Sequence, residues 1–336
     1  IPTMGRAERF PEIFEYLMKL SIERPITLFI DEFQEFFKVN KSVYSDMQRI
    51  WDMYHTKAHI NLIVCGSIFS MMTKIFKDKK EPLYNRQTRF MSIKPFTPAV
   101  LKEIMAEYNP NYTSEDLLAL YSFTGGVAKY VQLLVNAGAT TKTKMLNHII
   151  KADSVFLGEG KAILIEEFGK DYGVYFSILS AIARGKTLRS EIEQIVGREI
   201  GGYLTKLEKE YEVITKNQPI FEKSSTKNVR YTIEDNFFTF WFRFIYKYNY
   251  MPEIENYDAV KTIINRDYET FSGKMLERYF KRVLMESKAY TRIGSWWDRK
   301  GENEIDIVAE NELNNEAVFI EVKRKEDNLD AIALKE

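Results

Sequence analysis

The apolar run Ile26-Thr27-Leu28-Phe29-Ile30 ends in Asp31-Glu32. A strand closing in two acids can present both to a phosphate chain: Asp31 to hold Mg2+, Glu32 to polarise an attacking water. One carboxylate neutralises charge through the metal and the other orients the nucleophile, so the chemistry needs the pair. A second apolar run, Ile60 to Val64, closes with Cys65-Gly66-Ser67, where the Ser67 hydroxyl beside the first strand could sense a terminal phosphate. Strands often end in acids without any such role, so the pair gains weight only from its surroundings.

A second constellation stands near the other end. Glu304-Ile305-Asp306-Ile307-Val308 is followed, after a turn, by Val318-Phe319-Ile320-Glu321-Val322-Lys323. Alternate residues of a strand share a face, so Glu321 and Lys323 project together and Asp306 can meet them from the neighbouring strand. Two carboxylates and a lysine can hold Mg2+ and set the charge of a water near a phosphodiester. The E-x-K tail and its spacing resemble the PD-(D/E)xK nuclease core, which implies Glu277 on the preceding helix as a further metal-binding acid. The other reading is a charged edge strand that resists pairing with another chain. Lys274, Arg278, Lys281, Arg282, Lys288, Arg292, Arg299 and Lys300 outnumber Glu277, Glu286 and Asp298 nearby. That local excess suits DNA or RNA phosphates, or a solvated basic helix.

These residues must be positioned by more than one domain, because 336 residues exceed one ordinary core. Lys plus Arg balance Asp plus Glu at 48 each, which removes any global electrostatic case for a nucleic acid or a membrane surface. A lone Cys65 and three unclustered histidines exclude an internal disulfide and structural zinc, and point to a reduced, cytoplasmic protein. No run is long and apolar enough for a membrane span.

The expected fold is α/β and multi-domain. Residues 1–97 form part of a nucleotide-hydrolysing core, with a helix at 8–20, strand, helix and strand. Two strands apolar throughout predict a parallel sheet covered on both faces. Residues 98–165 form a helical lid. Residues 166–250 hold three short helices and a hairpin, a winged-helix pattern, and then the aromatic run Phe237 to Phe242, whose density predicts buried packing rather than base stacking. Residues 251–336 form a last α/β unit, with a helix over 271–285 and two strands. The recognition helix of the wing carries Lys206 and Lys209 beside Glu208 and Glu210, a mixture that favours a spacer over tight groove binding.

The order Ile-Asp-Glu-Phe-Gln, Cys-Gly-Ser, Leu-Tyr-Asn-Arg, Pro-Phe, Thr-Gly-Gly-Val-Ala-Lys-Tyr is similar to that of archaeal-type AAA-like P-loop ATPases of the STAND/MNS branch. These carry a C-terminal domain of uncharacterised function, here the part that resembles a restriction-endonuclease-like fold. The resemblance implies that Asp31 and Glu32 are the Walker B pair, Ser67 the first sensor, Arg86 an arginine finger and Lys129 a lid residue facing the nucleotide. Asn85 replaces the glycine expected before Arg86, so an ion-paired Arg86 is an equal alternative. The phosphate loop G-x-x-x-x-G-K-[ST] is not spelled out. Gly185-Lys186-Thr187 offers only its tail, with Ser180 in the first glycine's place and a helix before it, so the loop is expected upstream of Ile1. The implied cofactors are ATP and Mg2+, the implied partners DNA or RNA through the C-terminal domain and further copies of the chain, with no membrane. The alternative function is an ATP-operated interaction switch with an inactive nuclease fold.

Overall fold

The computed structural model describes residues 9–223 and 226–324, which divide into two units at Ser92/Ile93.

In the first unit, α1 (Phe10–Glu23) begins with Pro11 in its opening turn, where a missing N–H costs no helical bond. It leads into β1 (Ile26–Ile30), a 3-10 turn at Phe33–Glu35, α2 (Phe36–Val39), α3 (Ser42–Tyr54), β2 (Ile60–Val64) and α4 (Phe69–Lys77). The two strands pair in parallel from Ile26↔Ile60 to Ile30↔Val64, which aligns their carboxyl ends. Leu28, Ile30, Ile60, Leu62 and Val64 pack on a core supplied by Phe14 and Met18 of α1, Val43, Met47 and Ile50 of α3, and Met72, Ile75 and Phe76 of α4. The opposite face is open: Phe29 is 58% and Ile63 42% exposed. Covering on both faces was expected, but among the described residues α1, α3 and α4 share one core on one face. The outward residues therefore stay in solvent.

In the second unit one core runs from α5 to α14. Its first helices are α5 (Pro98–Tyr108), α6 (Ser114–Thr124), α7 (Ala128–Asn136), α8 (Lys142–Ile149) and α9 (Val155–Phe168). The centre is α6, buried at every position from Asp116 to Thr124. Thr113 and Asp116 form a reciprocal capping box at its start, and Gly125 at φ 62° ends it. Next come α10 (Tyr172–Ala183), α11 (Arg189–Val196) and α12 (Gly201–Lys209), then the antiparallel pair β3 (Ile214–Asn217) and β4 (Arg230–Ile233). Gly185-Lys186-Thr187 lies in the turn between α10 and α11, and Lys186 pairs with Glu191 at 3.2 Å.

After α13 (Asn236–Phe240) the aromatic run continues as a π-helical turn at Trp241–Tyr246, with Phe237, Phe240, Trp241, Phe242 and Phe244 all buried. The chain then enters α14 (Tyr257–Ser287), which starts well before the helix expected from residue 271 because Val260, Ile264 and Tyr268 also join the core. The final sheet is antiparallel: β5 (Arg292–Trp297), β6 (Glu304–Asn311) and β7 (Glu316–Ile320). Strand β5 was not anticipated, and β7 stops at Ile320 instead of running to Lys323.

The loop between β3 and β4 closes the outer edge of β5. Ile220 N–H donates to the Ser295 carbonyl at 2.8 Å, and Trp297 Nε1 donates to Asn228 Oδ1 at 2.9 Å. Arg230 pairs with Glu304 at 2.8 Å while its guanidinium lies 4.5 Å over the Trp297 ring. Gly294 permits the approach, since a Cβ there would stand 3.0 Å from Ile220. Among the described residues no helix is long and apolar enough to cross a membrane.

Candidate functional site

Because β1 and β2 are parallel and in register, Asp31-Glu32 and Cys65-Gly66-Ser67 emerge side by side. Glu32 sits at φ 47°, in the left-handed region, a sharp turn that begins the 3-10 segment. Its N–H donates to Asp31 Oδ1 at 2.9 Å, and its carboxylate accepts from Ser67 Oγ at 2.8 Å and from Gln34 Nε2. Gln34 Nε2 also reaches Ser67 Oγ at 3.3 Å, and Cys65 Sγ donates to Asp31 Oδ1 at 2.6 Å. The Gln34 and Ser67 donors hold the Glu32 carboxyl below its ordinary range. The Cys65 thiol and the Glu32 amide do the same for Asp31, and the thiol is pushed up in return. Both acids are exposed and charged at neutral pH.

Gln34 is fully buried, and its Oε1 has no hydrogen-bond partner. Gly66 makes room for it: a Cβ there would fall 2.1 Å from Gln34 Oε1 and 2.6 Å from Met72 Sδ. Gly66→Ala should therefore push Gln34 off Glu32 and destabilise the first unit by about 1–3 kcal/mol, as overpacking does. A thermal melt checks it, and an unchanged midpoint would show that Gln34 and Met72 yield freely.

The other residues singled out for nucleotide chemistry are held by partners of their own. Arg86 grips Asp52 of α3 with Nε at 2.9 Å and Nη2 at 2.8 Å, and donates to the Pro82 and Tyr84 carbonyls. Asn85 before it has φ 57°, so it fills the left-handed position that a glycine would otherwise occupy. Lys129, in the first turn of α7, pairs with Glu159 of α9 at 2.5 Å.

Two contacts join members of the C-terminal constellation. Asp306 Oδ2 accepts the Val322 N–H at 2.8 Å, and Lys323 Nζ donates to Glu321. Glu277 faces the same group from α14: burial pushes its carboxyl up to about 7, with Lys274 opposing and the charges of Asp306 and Glu304 adding. Asp306 is raised by burial first, while the Val322 amide pulls it down. Lys323 is raised by Glu321 first, then by Asp306 and Glu277. Crowded carboxylates that resist ionisation suit a divalent cation by donor chemistry. Among the described residues, however, no three acids, histidines or cysteines already stand at metal-binding geometry. Sequence reasoning passed over Gln34 and Cys65, although both lie within the motifs it used. It also passed over Arg324, whose signal is only its place next to Lys323.

Residues 7–134 match a family described as an ATPase domain predominantly from Archaea, which runs past the division between the units to the end of α7. Residues 241–333 match a family described as archaea bacterial proteins of unknown function. An uncharacterized protein of Methanocaldococcus jannaschii is 33% identical over 340 residues, covering 97% of this chain and 72% of the relative. A second from the same organism is 34% identical over 56 residues, 17% of this chain and 54% of its own length. Among solved structures, a Walker-type ATPase of Pyrococcus abyssi superposes with a TM-score of 0.51 at 20% identity, over 70% of this chain and 68% of that one. The mixed α/β fold with its small parallel sheet thus resembles that of a Walker-type ATPase. The chain belongs to the family of the 33%-identical Methanocaldococcus jannaschii protein, and in it an archaeal ATPase domain is followed by that C-terminal domain of unknown function.

Proposed function

We propose that this chain carries the metal- and water-handling side of an ATP-hydrolysing site, and that the site governs a Mg2+-dependent nucleic-acid-cleaving centre near the C-terminus. The observation that carries the reading is the convergence of Asp31, Glu32 and Ser67 at one end of a parallel strand pair. Asp31 would hold Mg2+, which supplies charge neutralisation to the phosphates. Glu32 accepts a proton from the water in line with the terminal phosphate, while Ser67 and Gln34 fix its orientation. Lys129 would have to leave Glu159 to meet a nucleotide. Arg86 would have to leave Asp52 to act as a finger toward another copy of the chain. ATP binding on this reading also needs a phosphate loop, which the 336 residues do not spell. The bare sheet face at Phe29 and Ile63 is where further elements of such a core would pack.

In the C-terminal centre, Asp306, Glu321 and Glu277 would hold Mg2+, and Lys323 would set the charge of the attacking water. The α10–α12 helices with β3 and β4 read best as a winged helix used as a spacer, because the wing is spent on β5. The second reading is an ATP-operated switch with an inactive nuclease fold, favoured by the ion pair between Lys323 and Glu321.

Plasmid and single-stranded DNA and RNA incubated with the complete protein in Mg2+ or Mn2+, with and without ATP, separate these. Cleavage that responds to ATP and disappears in Asp306→Ala is the expected result. An inert wild type under every condition would leave the switch.

A further inference from the structure

Beyond Ile320, Val322 and Lys323 are held within the C-terminal centre itself, by Asp306 and Glu321. Arg324 is different. Its Nη1 donates to Ser272 Oγ on α14 and its Nη2 to the Glu115 carboxylate in the first turn of α6. Ser272 is fully buried and donates in turn to the Tyr268 carbonyl at 2.6 Å, so its hydroxyl is used in both directions. The guanidinium lies 5.4 Å over the Tyr268 ring. Lys142 Nζ shares the arrangement, 4.5 Å over the same ring and 3.2 Å from Glu115. A planar fork that spans a helix hydroxyl and a carboxylate fixes direction as well as distance, which a lysine does not do.

We propose that Arg324 is a positioning residue for Asp306, Glu321 and Lys323, and that its grip on Glu115 is the contact through which α6 and the corner at its far end control that centre. The inference rests on the cleavage reading for what is controlled, but not for the tether. Helix α6 makes the connection mechanical. Its eleven residues run from Ser114 to Thr124, just before the Gly125-Gly126 corner, about 16 Å at 1.5 Å per residue. All of it after Glu115 is buried, so it moves as a rod. At the far end Phe96 N–H donates to the Gly126 carbonyl at 2.7 Å, and a Cβ on Gly126 would stand 2.4 Å from the Phe96 carbonyl oxygen. Lys129 lies in the helix turn just beyond. A displacement of that corner therefore reaches Glu115, and through Arg324 the residue beside Lys323.

The test reads the position of the segment after β7 without requiring catalysis. In the complete protein, hydrogen exchange of the Val322 amide, which donates to Asp306, is followed at fixed pH by peptide mass spectrometry, with the amides of buried Leu204 and Leu207 in α12 as internal reference. Arg324→Ala should free the segment and speed exchange at Val322 by about tenfold. Glu115→Gln should act in the same direction, Arg324→Lys less, and the exchange Glu115→Arg with Arg324→Glu should return the rate toward wild type. A loss of fold would speed the α12 amides as well. A Val322 rate unchanged in Arg324→Ala, while Asp306→Ala raises it, overturns the tether. A rise in Arg324→Ala with none in Glu115→Gln overturns control through α6. Cleavage is measured in parallel: an inert wild type counts against the cleavage reading alone, because the exchange rate still decides the tether.

Discussion

Glu32→Gln in the complete protein should lower ATP turnover by about a hundredfold or more while ATP still binds, the range expected when a general base is removed. The substitution keeps the size of the side chain, so the turn at φ 47° and the contacts to Ser67 and Gln34 have an oxygen to receive them. What it removes is the charge that two donors hold in the ionised form, and an amide cannot take a proton from water. Asp31→Asn should behave differently, raising the Mg2+ concentration needed before it lowers the maximal rate. Turnover unchanged in Glu32→Gln would take that residue out of the chemistry.

Glu277→Gln should make the protein more stable at pH 8 and leave it unchanged near pH 4. The Glu277 carboxyl titrates at about 7 in the folded chain against an ordinary value of 4.5. Between those values the folded state keeps a proton that the unfolded state has released, so stability falls as pH rises through the interval. The full interval corresponds to about 3 kcal/mol at 1.36 kcal/mol per unit, an upper bound because the side chain is 28% exposed. A melt of wild type and variant at both pH values reads the difference. On the cleavage reading Mg2+ should raise the wild-type midpoint at pH 8 and raise that of Glu277→Gln less. A variant equally stable or weaker at pH 8 would mean that the carboxylate is solvated there.

Much of this was legible in the chain because it depends on short-range pattern. Two five-residue, mostly apolar runs ending in polar residues gave a parallel pair with its acids at one end. Glu321 and Lys323 do meet, but beyond Ile320, where β7 ends, so the strand alternation that suggested it is not what joins them. What escaped depends on distant partners. Strand β5 was hidden because Gly294 and Ser295 break its alternation, and its partners are β6 and a loop some seventy residues earlier. The uncovered sheet face was signalled only by polar Thr27 and Asn61 at its outward positions, because Phe29 and Ile63 beside them look as buried as Leu28 and Leu62 until it is known where the helices pack. Arg86 shows the limit for roles: the family resemblance implied a finger, with an ion pair as the equal alternative, and the structure gives its hydrogen bonds to Asp52 and two carbonyls.

The docking of the β3–β4 loop on β5 bears on how this architecture can be inherited. The region that matches the C-terminal family begins at residue 241, inside the buried π-helical turn and after the loop that closes the β5 edge. A fragment cut there would expose Trp241, Phe242 and Phe244 and leave an unprotected strand edge, both invitations to aggregate. Recombination at that boundary would be selected against. The C-terminal domain should therefore pass between genomes together with the helices before it, not as a cassette exchanged among unrelated proteins.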